Sequence, residues 1–194
     1  MAKCSFFVGI FFLISVNVFA QKIELDVLMG DKKIGEIKTE KKAKGKTASY
    51  TLSSTVDVTM LFKVQVTTLA SNTFTNGLLT TSQANRKSNM QTENKTTATI
   101  WKAKAYEINR DNVIATLTEP VKYCVTNLYF EEPVNQQNAF SEIQALQLPI
   151  KSLGNHEYEI SQPGGKKDVY TYVNGKLQKV MTVIAMKQVE FRVR

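Results

Sequence analysis

The side chains from which most active sites are assembled are scarce in this chain. It has one histidine, His156, and two cysteines, Cys4 and Cys124. So few nitrogen and sulfur ligands exclude a zinc cluster of the usual spacings. No HExxH, GxSxG, P-loop or GxGxxG signature occurs. No catalytic, metal or cofactor motif is therefore present, and an enzyme is not expected. It also lacks a Pro/Gly/Ser linker, a low-complexity block and a detectable repeat. Length then argues for one domain.

No segment is apolar for the ~20 residues that a membrane-spanning helix needs. The nearest is the N-terminal "MAKCSFFVGIFFLISVNVFA". It has a positive charge at Lys3, an apolar run from Phe6 to Val16, and small or apolar residues at Val18 and Ala20, where a signal peptidase reads. That pattern is a secretory signal peptide. The expected division is residues 1–20 as the leader and 21–194 as a single β-rich domain, periplasmic or secreted and not integral to the membrane. Removing Lys3, with no acid, takes the formal charge from +8 to +7. Cys4 leaves with the leader. Cys124 then remains alone, and no internal disulfide can form. Stability must come from a packed core, and a domain of this size buries roughly 70% of its unfolded surface.

What is abundant is alternation. In "IELDVLM", Ile23, Leu25, Val27 and Met29 share one face of a strand. From Tyr50 to Val66 the even positions are mostly apolar and the odd ones polar. That parity means one long bent strand or two strands joined without loss of facing. Turn signals recur at "GDKK", "AKGK", "TNGL", "RDN", "GN", "QPGGKK" and "VNGK". Asn-Gly, at 76–77 and 174–175, suits tight hairpins. The polar stretch from Thr80 to Thr99 is rich in Thr, a good strand former. It reads as two strands with a wet outer face, paired around Met90–Asn94. The fold class is mainly β: a curved antiparallel meander of long strands, a half-barrel or open barrel. Its apolar face must be covered.

One stretch breaks the alternation: "EPVKYCVTNLYFEEP", Glu119 to Pro133. Val121, Cys124, Val125 and Leu128 fall at i, i+3, i+4 and i+7, the stripe of an amphipathic helix. Thr118 could cap it, Pro120 fits its first turn, and Pro133 stops it. The expectation is one short helix lying across the apolar face, with Tyr129 and Phe130 at the rim. Cys124 sits between apolar neighbours, where a free cysteine behaves as a small hydrophobe. The residues expected to line a groove for a ligand are Val121, Cys124, Val125, Leu128, Tyr129 and Phe130 of this cover, with Phe62 of the sheet.

Charged groups offer weaker alternatives. Glu131–Glu132 and Glu157–Glu159 could pair for glycoside hydrolysis, or they are solvated surface charges. Lys32, Lys33, Lys38, Lys41, Lys42, Lys44 and Lys46 crowd the second hairpin. They could meet an anionic surface, or they protect an exposed edge from aggregation. Stacking aromatics are not interleaved among them, so nucleic acid is not an expected partner. His156 reads as an exposed residue at a strand end.

The order "DVLMGDKKIGEIK", "FTNGLL", "LYFEEP", "HEYEI", "YVNGKL" behind a leader resembles a family of small exported Bacteroidota proteins of unknown function. The marks are Ile34–Gly35, Asn76–Gly77, Leu128-Tyr129-Phe130, Glu132-Pro133 and Asn174–Gly175. The resemblance implies export and a β architecture, and no activity. The arrangement is also similar, more distantly, to the curved sheet with a plugging helix of LolA/LolB-type lipoprotein carriers. The expected function is that of an exported envelope protein holding a lipid or other hydrophobic ligand in its concave face. The alternative is a structural or interaction protein of the envelope with a filled core.

Overall fold

The structure, a computed structural model, describes residues 18–59, 63–89, 94–184 and 187–194. Among these, fourteen strands follow in chain order: β1 (Val18–Met29), β2 (Lys32–Lys44), β3 (Thr47–Thr59), β4 (Lys63–Thr75), β5 (Leu78–Ser88), β6 (Lys95–Trp101), β7 (Tyr106–Arg110), β8 (Val113–Leu117), β9 (Asn138–Ser141), β10 (Leu146–Gly154), β11 (Glu157–Ser161), β12 (Lys167–Val173), β13 (Lys176–Ile184) and β14 (Lys187–Val193). They form one antiparallel sheet in the order β8-β7-β6-β5-β4-β3-β2-β1-β14-β13-β12-β11-β10-β9. Two meanders are thus joined by the pairing of the first strand with the last, Leu25 opposite Val193. Most of the leader stretch lies outside the described residues, and β1 begins within it, at Val18.

The turns follow local chemistry. At Asn76–Gly77 and Asn174–Gly175 both residues have positive φ, between 52° and 76°. That is the twist a two-residue hairpin needs. The long parity from Tyr50 resolves into β3 and β4, with Val58 opposite Val64 and Val56 opposite Val66. The polar stretch resolves into β5 and β6, Arg86 opposite Lys95. Their inward residues are small: Ser82, Ala84, Thr97 and Thr99 are all buried.

The sheet is rolled. The Asn72 side-chain amide of β4 donates to Glu142 in the β9–β10 turn at 2.6 Å. The Thr97 hydroxyl of β6 donates to the Ile143 carbonyl at 3.0 Å, and Arg110 of β7 to the Gln144 carbonyl at 3.0 Å. Opposite ends of the strand order therefore meet, although β8 and β9 do not pair with each other. Inside lies a core of Leu25, Val27, Ile37, Val56, Tyr170 and Val180 with their neighbours, beside a second cluster around Phe74, Leu79, Tyr106 and Phe140.

The expected cover is present in a different conformation. The segment up to Cys124 is extended, and only Val125–Tyr129 coils, as a single 3-10 turn. The Leu79 amide donates to the Val121 carbonyl, and the Phe140 amide to the Tyr123 carbonyl, both at 2.9 Å. These strand-like bonds tie the segment to β5 and β9 and displace the helix that the apolar spacing suggested. Thr118 is not the cap. Cys124 precedes the turn, and its amide donates to the Asn127 side chain at 2.9 Å.

The lysine-rich hairpin is not an edge. β2 is paired along its length to β1 on one side and β3 on the other. Edge protection therefore fails as the reason for those lysines. Several are ion-paired instead: Lys33 to Asp26 at 2.6 Å, Lys38 to Glu36 and Lys42 to Glu40 at 2.8 Å, and Lys41 to Glu131 at 2.5 Å.

Candidate binding cavity

The rolled sheet and its cover border a partly open cavity of about 210 Å3. One wall is apolar: Ile37, Val56, Val58 and Val66 from β2, β3 and β4, with Ile184 and Phe191 from β13 and β14. Polar side chains from elements far apart in sequence complete the lining, with Ser54, Thr68 and Arg86 on β3, β4 and β5. Glu142 arrives on the β9–β10 turn, Gln162 and Lys166 on the β11–β12 connection, Asp168 on β12 and Thr182 on β13.

The two acids have different settings. Glu142 is 4% exposed. It accepts from the Asn72 amide at 2.6 Å and the Thr126 backbone amide at 3.0 Å. Burial pushes its carboxyl above the ordinary 4.5, and those donors oppose the shift. Asp168 accepts from the Gln162 side chain and the Thr182 hydroxyl, and Lys166 Nζ lies 3.8 Å away. Burial pushes the nearby Tyr129 phenol up, and the negative charges of Asp168 and Glu142 add to the shift.

Of the residues the sequence nominated, Val125 and Tyr129 line this cavity. Val121 and Cys124 are fully buried in the second cluster, against Leu79, Tyr106 and Phe140. Leu128 is fully buried in the main core. Phe130 is partly buried and packs on Tyr50, ring centroids 5.8 Å apart. Phe62 lies outside the described residues. Burial pushes the Cys124 thiol well above its ordinary value, which keeps it un-ionised.

The carboxylate pairs from the sequence do not converge. Glu131 accepts from Lys41 at 2.5 Å and from the Tyr50 hydroxyl at 2.8 Å. Glu132 accepts from the Tyr158 hydroxyl at 2.8 Å and sits 2.9 Å from His156 Nδ1. Glu159 pairs with Lys167 at 3.0 Å, and Glu157 accepts from Thr171 at 3.2 Å. Glu131 and Glu132 thus anchor the cover to the sheet, and Glu157 and Glu159 are part-buried and partnered by Thr171 and Lys167.

Sequence reasoning missed Glu142, Asp168, Gln162, Lys166 and Thr182. A signal existed for Asp168. In "DVYTYV" it shares a face with Tyr170 and Tyr172, both buried, so an acid stands where the alternation calls for an apolar residue.

With the fold and cavity described, comparison with known proteins can be stated. Residues 25–194 match the family model described as a domain of unknown function, DUF6134. The chain belongs to the DUF6134 family. Among solved structures, this DUF6134 chain is similar to a β-barrel-like protein of another domain of unknown function, DUF1849, from Brucella abortus. The two share 8% identity with a TM-score of 0.57, over 93% of this chain and 98% of the other. At that identity the likeness is one of fold. No curated protein matches the DUF6134 chain.

Proposed function

We propose that this DUF6134 protein is an exported, non-catalytic binding module of the cell envelope. It holds a small amphiphile inside its rolled sheet, a compact version of the arrangement used by curved-sheet lipoprotein carriers. The observation that carries the reading is the mixed lining of the cavity, where Ile37, Val56, Val58, Val66, Ile184 and Phe191 stand beside the polar and charged Ser54, Thr68, Arg86, Gln162, Lys166 and Asp168. Concave, mostly apolar pockets with a few placed polar groups are the usual form of small-ligand sites. The pocket, about 210 Å3 and partly open to solvent, has room for at least a short acyl chain.

The test is calorimetric titration of the delipidated mature chain with saturated fatty acids of increasing length. Binding is expected to appear as the chain lengthens to about octanoate and to be lost in Val56→Trp, which fills the apolar wall. Absence of binding at every length would favour the envelope protein with a filled core, acting through its surface.

A further inference from the structure

A groove of about 760 Å3 crosses the outer face of the sheet. Two rows of outward side chains build it, and the strand register sets them in line. Glu24 stands opposite Lys38, Lys38 opposite Ser53, Ser53 opposite Leu69, Leu69 opposite Asn85, and Asn85 opposite Thr96. The second row runs Lys22, Glu40, Thr51, Ser71, Gln83, Ala98 by the same ladders. Residues directly opposite on one face lie ~5 Å apart, so six strands present one continuous strip. The inward residues at this level include Ala70 and Ala84, both buried and small. Leu52 and Ala70 border both the groove and the inner cavity, so a single layer of sheet separates the two.

The chemistry of the strip selects its ligand. Charge is confined to the β1–β2 end and cancels there: two lysines against two glutamates. Lys22 lies 3.8 Å from Glu40, Lys38 2.8 Å from Glu36, and Glu24 2.5 Å from Arg194. The remainder is hydroxyl and carboxamide, from Thr51, Ser53, Ser71, Gln83, Asn85 and Thr96, around the exposed side chain of Leu69. On a chain of formal charge +8 this groove is locally neutral. An anionic polymer would find the cations already paired. A purely apolar ligand would desolvate the hydroxyls and amides without replacing their hydrogen bonds, which is costly. A ligand with donors and acceptors on its edges and C–H groups on its face meets both demands. We propose that the groove binds a neutral glycan chain, its hydroxyls bonded to Ser53, Ser71, Gln83 and Asn85 and a sugar face resting on Leu69. The volume lies within the range of small-ligand sites.

The test is NMR titration of residues 21–194 with neutral hexasaccharides: cellohexaose, maltohexaose, laminarihexaose and chitohexaose, at concentrations on the order of 10 mM. At least one is expected to move the amides of Leu69, Ser71, Gln83 and Asn85. Ser71→Trp, which fills an exposed position, is expected to weaken binding at least ~tenfold, about 1.4 kcal/mol. Gln83→Ala is the second variant, and an unchanged spectrum elsewhere reports that each still folds. Heparin and an extended heptapeptide are the competing probes. If no neutral hexasaccharide moves these amides, or if only heparin or the peptide does, the proposal is overturned.

Discussion

The hydroxyl of Tyr172 on β12 donates to the carbonyl of Leu128 at 2.6 Å, across 44 residues of sequence. Both residues are almost fully buried. The bond satisfies a carbonyl of the Val125–Tyr129 turn from outside the segment and fixes the cover over the core. Tyr172→Phe leaves that carbonyl buried without its donor, a loss of about 1–3 kcal/mol. For a domain of this size each kcal/mol moves Tm by about 2–4 °C. Thermal unfolding followed by circular dichroism checks it; an unchanged Tm would mean the cover is held otherwise.

Leu128→Ala is expected to cost about 2–5 kcal/mol, because it empties a fully buried site. The same change at Leu69, whose side chain is exposed, is expected to stay within about 0.5 kcal/mol. Urea unfolding of the two variants side by side distinguishes a structural cover from a loosely attached strap.

The thiol of Cys124 is fully buried, and desolvation keeps it protonated. In the native chain it is expected to resist aromatic disulfide reagents and to react fully once unfolded. Cys124→Ser, which buries a hydroxyl in an apolar cluster, is expected to destabilise by about 1–3 kcal/mol. Rapid labelling of the folded protein would contradict the packing described.

Glu142 gives stability a pH dependence of known sign. Burial raises its folded-state pKa above the ordinary 4.5 of the unfolded chain. The folded state therefore holds the proton more tightly. The group's contribution is fully present below about pH 4.5 and is lost as pH rises through the folded pKa. Relative to Glu142→Gln, the wild type should lose stability over that rising window and hold a constant difference above it. Chemical denaturation of both proteins from pH 4 upwards, in steps of about one unit, reads the sign directly.

Gly35 shows how a mark in the sequence acquires a cause. A Cβ there would lie 2.3 Å from the Thr55 carbonyl oxygen and 2.9 Å from the Val56 Cα, both backbone atoms of the neighbouring strand. The ladder also shifts register close by, between Val27 and Leu28. Gly35→Ala is expected to cost at least about 1–3 kcal/mol, as overpacking does.

Much of the architecture was legible because alternation and Asn-Gly turns are local signals. Val56, Val58, Val64 and Val66 announced their facing, and Asn76–Gly77 its hairpin. The turns at Lys102–Ala105 and Glu142–Ala145 were not legible, since they reverse the chain without glycine or proline, using positive φ at Ala103 and Ala145. The cover was legible as a cover but not in its conformation. Val121, Cys124, Val125 and Leu128 have helical spacing, yet short apolar runs are ambiguous between periods. Bonds to Leu79 and Phe140, distant in sequence, decided for the extended form. The polar part of the cavity lining was hidden for the same reason. Glu142, Lys166, Asp168 and Thr182 meet only when the sheet rolls.

Whether the interior is a ligand site is tested most directly by methyl NMR. Residues 21–194, labelled at Ile, Leu and Val methyls and stripped of bound lipid, are titrated with octanoate. Saturable shifts at Ile37, Val56, Val58 and Ile184 are expected, with Leu69 on the outer face unmoved. Shifts confined to surface methyls, or none at all, would contradict a binding cavity inside the rolled sheet.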